Sequence, residues 1–257
     1  MTTRLTSVVI DAARPAALAH WWSEATGWPV TLIAPDEVVV EPPGNGQSYD
    51  VPALVFVPVD DPKTTKNRVH LDLASDSLEH QARLVDQLVG SGATHVDIGQ
   101  SGVPWIVLAD PEGNEFCVLE PRERHVGRGP IAAIVMDAAD PGAIARFWVA
   151  ASGWPIAAEH DWAVSLHNPR GLLPDLEVLP DDSLKSVKNR VHLDVAPYEG
   201  EDHALEVARL IALGAEPIDV GQGHDVTWVV LADPAGNEFC VLRPRGIPPA
   251  APGETVG

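Results

Sequence analysis

Lys66-Asn67-Arg68-Val69-His70-Leu71-Asp72 occurs a second time, unchanged, as Lys188-Asn189-Arg190-Val191-His192-Leu193-Asp194. Around it the chain repeats almost in register. Val107 to Leu119, read VLADPEGNEFCVL, returns as Val230 to Leu242 with Glu112 exchanged for Ala235 and nothing else altered. A chain of 257 residues could hold one large domain or two of ordinary size. The repeat decides for two, each long enough to bury its own core. Solenoid repeats are far shorter, with periods of roughly 20 to 50 residues.

The formal charge of −20 disfavours nucleic acid and anionic membrane surfaces as partners, since both would repel the chain. No apolar run approaches the roughly 18 residues of a membrane span, and the N-terminus lacks a signal-peptide pattern. The two cysteines sit at matching positions of separate repeats, so no disulfide framework is expected. The expectation is a cytoplasmic protein, monomeric or homodimeric, whose partner is a small molecule.

Each repeat reads as a strand, a helix and further strands, written twice. Ser7 to Asp11 and Ala133 to Asp137 are apolar strands. A helix follows each, with Pro15 or Pro141 at its first turn and Gly27 or Gly153 stopping it. Leu18, Trp21 and Trp22 fall on one helical face, as do Ile144, Phe147 and Trp148. Two strands are expected next in each repeat, at 37–41 and 54–59, then at 162–167 and 176–179. The second half restarts with a strand (68–74, 190–196) and a glycine-terminated helix (77–89, 202–213). Three strands close it, the last two joined at Asp-Pro-x-Gly-Asn. The expected boundaries are a first domain over 1–122, a linker over 123–129, a second domain over 130–246 and a disordered tail over 247–257.

Two such units per repeat, with Asp-Pro-x-Gly-Asn before a final apolar strand, resemble the vicinal oxygen chelate superfamily of glyoxalase I, extradiol dioxygenases and bleomycin-binding proteins. The resemblance implies an α+β fold of tandem domains. Each domain would hold two βαβββ units, forming a curved mixed sheet around a cleft. In metal-dependent members the cleft floor carries up to four ligands. The slot on the first strand falls here on Ser7 and Ala133, and the late-strand slot on Val55 and Glu177. The histidine ligand matches His70 and His192. Where the pattern ends in glutamate, this chain has Cys117 and Cys240.

Strand alternation places Val69, Leu71 and Leu73 under the helix, which turns His70 and Asp72 to the other face, and His192 and Asp194 likewise. Repeat 1 thus offers only His70 and Cys117 in the metal slots, fewer donors than a stable site uses. Repeat 2 offers Glu177, His192 and Cys240, a set chemically open to Zn²⁺ or Fe²⁺. The leading expectation is a small organic ligand in a cleft of each domain without metal or other cofactor. The protein would sequester it or act on it by acid–base chemistry, with His70/Asp72 or His192/Asp194 as catalytic pairs. The alternative is a metal-dependent lyase, isomerase or dioxygenase with its site in domain 2. Around the pairs, Trp105, Cys117, Glu177, Trp228 and Cys240 are the expected ligand-binding residues. Trp105 and Trp228 either wall the cleft or belong to the core. Cys117 and Cys240 are small hydrophobes or, given a nearby cation, nucleophiles. Lys66-Asn67-Arg68 and its copy either bind an anionic ligand group or pair with local carboxylates.

Overall fold

The computed structural model describes residues 3–44, 50–223 and 225–246. The expected tail at 247–257 lies outside the described residues. Repeat 1 contains β1 (Thr3–Ala12), α1 (Pro15–Thr26), β2 (Val30–Ile33), β3 (Val38–Val40) and β4 (Ala53–Pro58), then β5 (Val69–Leu73), α2 (Leu78–Gly90), β6 (Thr94–His95), β7 (Ile106–Ala109) and β8 (Glu115–Val118). Repeat 2 contains β9 (Ile131–Ala138), α3 (Pro141–Ser152), β10 (Ile156–His160), β11 (Ala163–Leu166) and β12 (Asp175–Pro180), then β13 (Val191–Pro197), α4 (His203–Ala212), β14 (Glu216–Pro217), β15 (Val229–Ala232) and β16 (Glu238–Val241). The proline starts and glycine stops of α1 and α3 are present, with Gly27 and Gly153 in the left-handed conformation. Sequence patterning passed over β2 and β10. Both are outer strands whose side chains are mostly exposed, so neither shows apolar alternation.

The strands form two eight-stranded sheets. Sheet A runs β14-β15-β16-β13-β1-β4-β3-β2 and sheet B runs β10-β11-β12-β9-β5-β8-β7-β6. Neither sheet belongs to one repeat. The sequence leaves open whether each cleft is built within one domain or from units of both; the strand order answers it, because each sheet joins the first unit of one repeat to the second unit of the other. At the seams β1 runs antiparallel to β13, and β5 antiparallel to β9. A short connection explains this. Residues 119–130 carry the chain from β8, on one side of β5, to β9 on the other, a separation of about 10 Å at normal strand spacing. Chain proximity thereby pairs the middle two units, and the first and last units pair with each other.

The helix-side faces of both sheets contribute to one continuous core. Trp21 and Trp22 of α1 pack edge-to-face on Phe116, with centroids 5.7 and 5.3 Å away, and Phe147 and Trp148 of α3 pack on Phe239 in the same way. Each buried indole N–H has a partner: Trp22 donates to Asp110 and Trp148 to Asp233, both at 3.1 Å. The Asp-Pro-x-Gly-Asn aspartates thus shape their own turns and also anchor the helix of their repeat. No described helix is long and apolar enough to cross a membrane.

Candidate functional site

The register fixes which side chains share the face of each sheet opposite the helices. In sheet B one row crosses the strands as Asp175, Ala133, Asp72, Cys117 and Val107. The neighbouring row is Ser165, Glu177, Val135 and His70. In sheet A the matching rows are Ala53, Ser7, Asp194, Cys240 and Val230, and Val39, Val55, Val9 and His192. Residues in register point to the same side. Val69, Leu71 and Leu73 lie in the helix-side core, as expected, and this sends His70 and Asp72 to the open face.

The structure gathers His70, Asp72 and Cys117 into one trio and His192, Asp194 and Cys240 into another, the ligating atoms of each within 4.8 Å of one another. His70 Nε2 lies 3.5 Å from Asp72 Oδ1, and His192 Nε2 lies 3.7 Å from Asp194 Oδ1 and 3.5 Å from Cys240 Sγ. Each aspartate Oδ1 is buried without a hydrogen-bond partner among the described residues. Each histidine side chain keeps 12% of its surface exposed, so a narrow opening leads to the trio.

Burial sets the protonation states. It pushes Asp72 up to about 7, helped by the negative charge of Glu177, and pushes Asp194 up to about 7 as well. It lowers His70 and His192 to about 3, with Lys66 and Lys188 adding to the effect. Burial thus disfavours the charged form of both partners. The carboxyl exchanges its proton near neutrality, while the imidazole stays neutral beside it. Burial and the adjacent carboxylate also raise both thiols, so a thiolate nucleophile is disfavoured.

Glu177 requires a correction. The sequence set of Glu177, His192 and Cys240 is not assembled, because Glu177 is on β12 of sheet B while His192 and Cys240 are in sheet A. Glu177 stands across Val135 from His70, and its Oε1 accepts a hydrogen bond from the Arg124 guanidinium. The superfamily's four slots therefore sort as Ser7, Val55, His192 and Cys240 in sheet A, and Ala133, Glu177, His70 and Cys117 in sheet B. Ser7 hydrogen-bonds Thr6, and Val55 and Ala133 offer no donor. The four-slot metal set does not fit either sheet. Glu120, three residues after Cys117, accepts a hydrogen bond from Arg122.

Trp105 packs against Cys117, Leu119 and Ala132 on the open face of sheet B, its indole N–H held by Gln100 Oε1 at 2.9 Å. That small apolar cluster is separate from the helix-side core. Its counterpart Trp228 is 38% exposed, and Gln222 of that loop turns its amide oxygen to Val220 N. Trp162 is exposed on the turn between β10 and β11, stacked on His160. Sequence reasoning missed Asp175, His167 and Arg124. Asp175 is two residues before Glu177 on the same strand, so alternation could have found it. Arg124 lies in an irregular connection and gave no signal.

The Lys-Asn-Arg segments line a cavity of about 530 Å³ between the two repeats, away from both trios. Its cations are already engaged. Lys66 pairs with Asp137, Lys188 with Asp11, Lys63 with Glu115, Lys185 with Glu238 and Arg190 with Glu112. Arg68 donates to Ser183 O, Asp137 O and Asn237 Oδ1. The pairing alternative thus describes Lys66, Lys188 and Arg190, while Arg68 bonds neutral oxygens.

The model of the glyoxalase-like domain matches residues 7–119 and again 133–242. No curated protein matches the chain by sequence. Among solved structures, glyoxalase I from Zea mays superposes with a TM-score of 0.69 at 14% identity, covering 94% of this chain and 92% of that one. A Bacillus subtilis protein provisionally named a dioxygenase superposes with a TM-score of 0.60 at 10% identity, covering 94% and 85%. At such identities these structures speak for the fold alone. The family model, matched once in each repeat, carries the assignment: this chain belongs to the glyoxalase-like domain family.

Proposed function

We propose that the open face of each sheet binds a small organic molecule over its His-Asp-Cys trio, with Asp72 or Asp194 as the group that shares a proton with it. The carrying observation is the buried aspartate oxygen left without a partner at the same place in both sheets. A buried polar atom without a partner costs roughly 1–3 kcal/mol, which a ligand hydrogen bond would recover. The neutral histidine at 3.5–3.7 Å can orient the ligand as a hydrogen-bond donor or acceptor while the carboxyl gives or takes the proton. One chain builds both faces, so a monomer suffices.

The test is a fragment titration followed through the ring C–H resonances of His70 and His192. Binding fragments should move one or both, and Asp72→Asn should remove the response at His70. A library that moves neither histidine would overturn the proposal. Mass spectrometry of a bound molecule then separates sequestration, which returns it unchanged, from catalysis.

A second reading has its own observation. The trio separations of 3.5 and 3.7 Å match the edges of about 3.4–3.6 Å expected for nitrogen, oxygen and sulfur around a tetrahedral Zn²⁺. This donor set replaces the superfamily's carboxylates with Asp72 or Asp194. Elemental analysis of protein purified without chelator decides it. Stoichiometric metal that is lost in Asp72→Asn with Asp194→Asn would establish this reading, and metal-free protein that refuses added Zn²⁺ would end it.

A further inference from the structure

Sheet B carries acidic residues that sheet A lacks. Asp175, Glu177 and Asp72 share one face and are 1%, 4% and 6% exposed, while the sheet A positions matching Asp175 and Glu177 are Ala53 and Val55. Buried like charges are costly unless each finds a cation. Asp175 Oδ1 lies 2.7 Å from His167 Nδ1 without a hydrogen bond, and Glu177 is held by the Arg124 guanidinium. Asp72 Oδ1 is likewise buried without a partner, on the same face of the sheet.

The cation on Glu177 is a loose one. Arg124 comes from the connection between the repeats and belongs to no sheet, and its side chain remains 40% exposed. A guanidinium that is already 40% exposed keeps its hydration when it swings away, so a ligand cation with further contacts of its own to offset its lost freedom can take its place. Between Asp175 and Asp72 the floor carries only the methyl group of Ala133, on the strand that separates theirs. Trp105 closes the far side with an aromatic surface.

We propose that the open face of sheet B recognises a ligand bearing a protonated amine or guanidinium group, which replaces the Arg124 guanidinium on Glu177 and donates to the free oxygen of Asp72. This rests on the small-molecule reading above and adds the ligand class, for sheet B only. Sheet A, with Val55 and Ala53, has no such preference.

Calorimetry on the full chain with benzylguanidinium and its neutral analogue benzylurea tests this. Removing the tethered competitor in Arg124→Ala should tighten benzylguanidinium binding by about tenfold or more and leave benzylurea unchanged. Adding Glu177→Gln to that variant should abolish the preference, with thermal melts confirming that both variants fold. Equal affinity for the two probes, absence of binding to Arg124→Ala, or a preference that survives Glu177→Gln would each overturn the inference. If fragments still move His70 in that event, only the ligand class is wrong. If neither histidine responds to anything, the reading beneath it fails too.

Discussion

Across Val135 from His70 stands Glu177; across Val9 from His192 stands Val55. The two sheets carry the same His-Asp-Cys trio on the same strands, yet their neighbouring rows differ in charge. In sheet B the row holds one carboxylate, Glu177, and an arginine from the connection pairs with it. In sheet A the row is apolar and needs no counterion. Duplication preserved the trio in both copies, while the surroundings were free to diverge. A trio that is alike in two unlike settings does not owe its geometry to either setting.

The largest test of that likeness is pH. Asp72 and Asp194 have ordinary values of 3.8 and folded values of about 7, so the folded state holds their protons where the unfolded state has released them. Each carboxyl therefore lowers stability as pH rises from 4 to 7. The paired histidines, lowered to about 3, do the reverse below pH 6.5 and offset the trend. Asp72→Asn and Asp194→Asn remove only the carboxyl contribution. Relative to wild type, each variant should gain stability between pH 4 and pH 8, by up to about 4 kcal/mol. Urea unfolding at the two pH values measures this, and a difference that does not move with pH would show that the carboxyls titrate normally.

Exchanging the unlike residues should come next in size. Val55→Glu places a carboxylate in an apolar row of sheet A, where no arginine bonds position 55 as Arg124 bonds Glu177 among the described residues, and should cost about 3 kcal/mol or leave that carboxyl protonated. Glu177→Val in sheet B releases Arg124 to solvent and should cost within about 1 kcal/mol. If the two exchanges cost the same, the arginine does not matter to the contrast between the sheets.

The Glu112/Ala235 difference is smaller and has a structural account. The Glu112 carboxylate accepts from Ala13 N and Arg14 N, at 2.7 and 2.9 Å, at the start of α1, where Arg14 supplies no side-chain cap. The start of α3 is capped by its own Asp140, so position 235 needs no carboxylate. Glu112→Ala should lower the melting free energy by about 1 kcal/mol, and Ala235→Glu should leave it unchanged. The smallest expected signal is chemical. Cys117 and Cys240, buried with raised thiols, should both resist iodoacetamide at neutral pH until the chain unfolds. Rapid labelling of one would mark its sheet as open.

Much of this architecture is written in local pattern. The Pro15 and Gly27 limits of α1, the turns at Asp110 and Asp233, and the outward aim of His70 and Asp72 all follow from interactions within a few residues. The convergence of Asp72 on Cys117 was harder to see, since it depends on β5 and β8 being neighbours in register. Placing Glu177 beside His192 failed for a deeper reason. The repeats present nearly identical strands, so β1 could in principle seat beside β5 or β13, and no residue on either strand distinguishes the choices. The sequence by itself determined that there are four similar units, what each is made of and which face its histidine takes, because those depend on side-chain alternation and helix limits. Only the tertiary structure decided which units share a sheet, and hence that Glu177 and Arg124 meet the His70 trio. That outcome depends on how far residues 119–130 can carry the chain across β5.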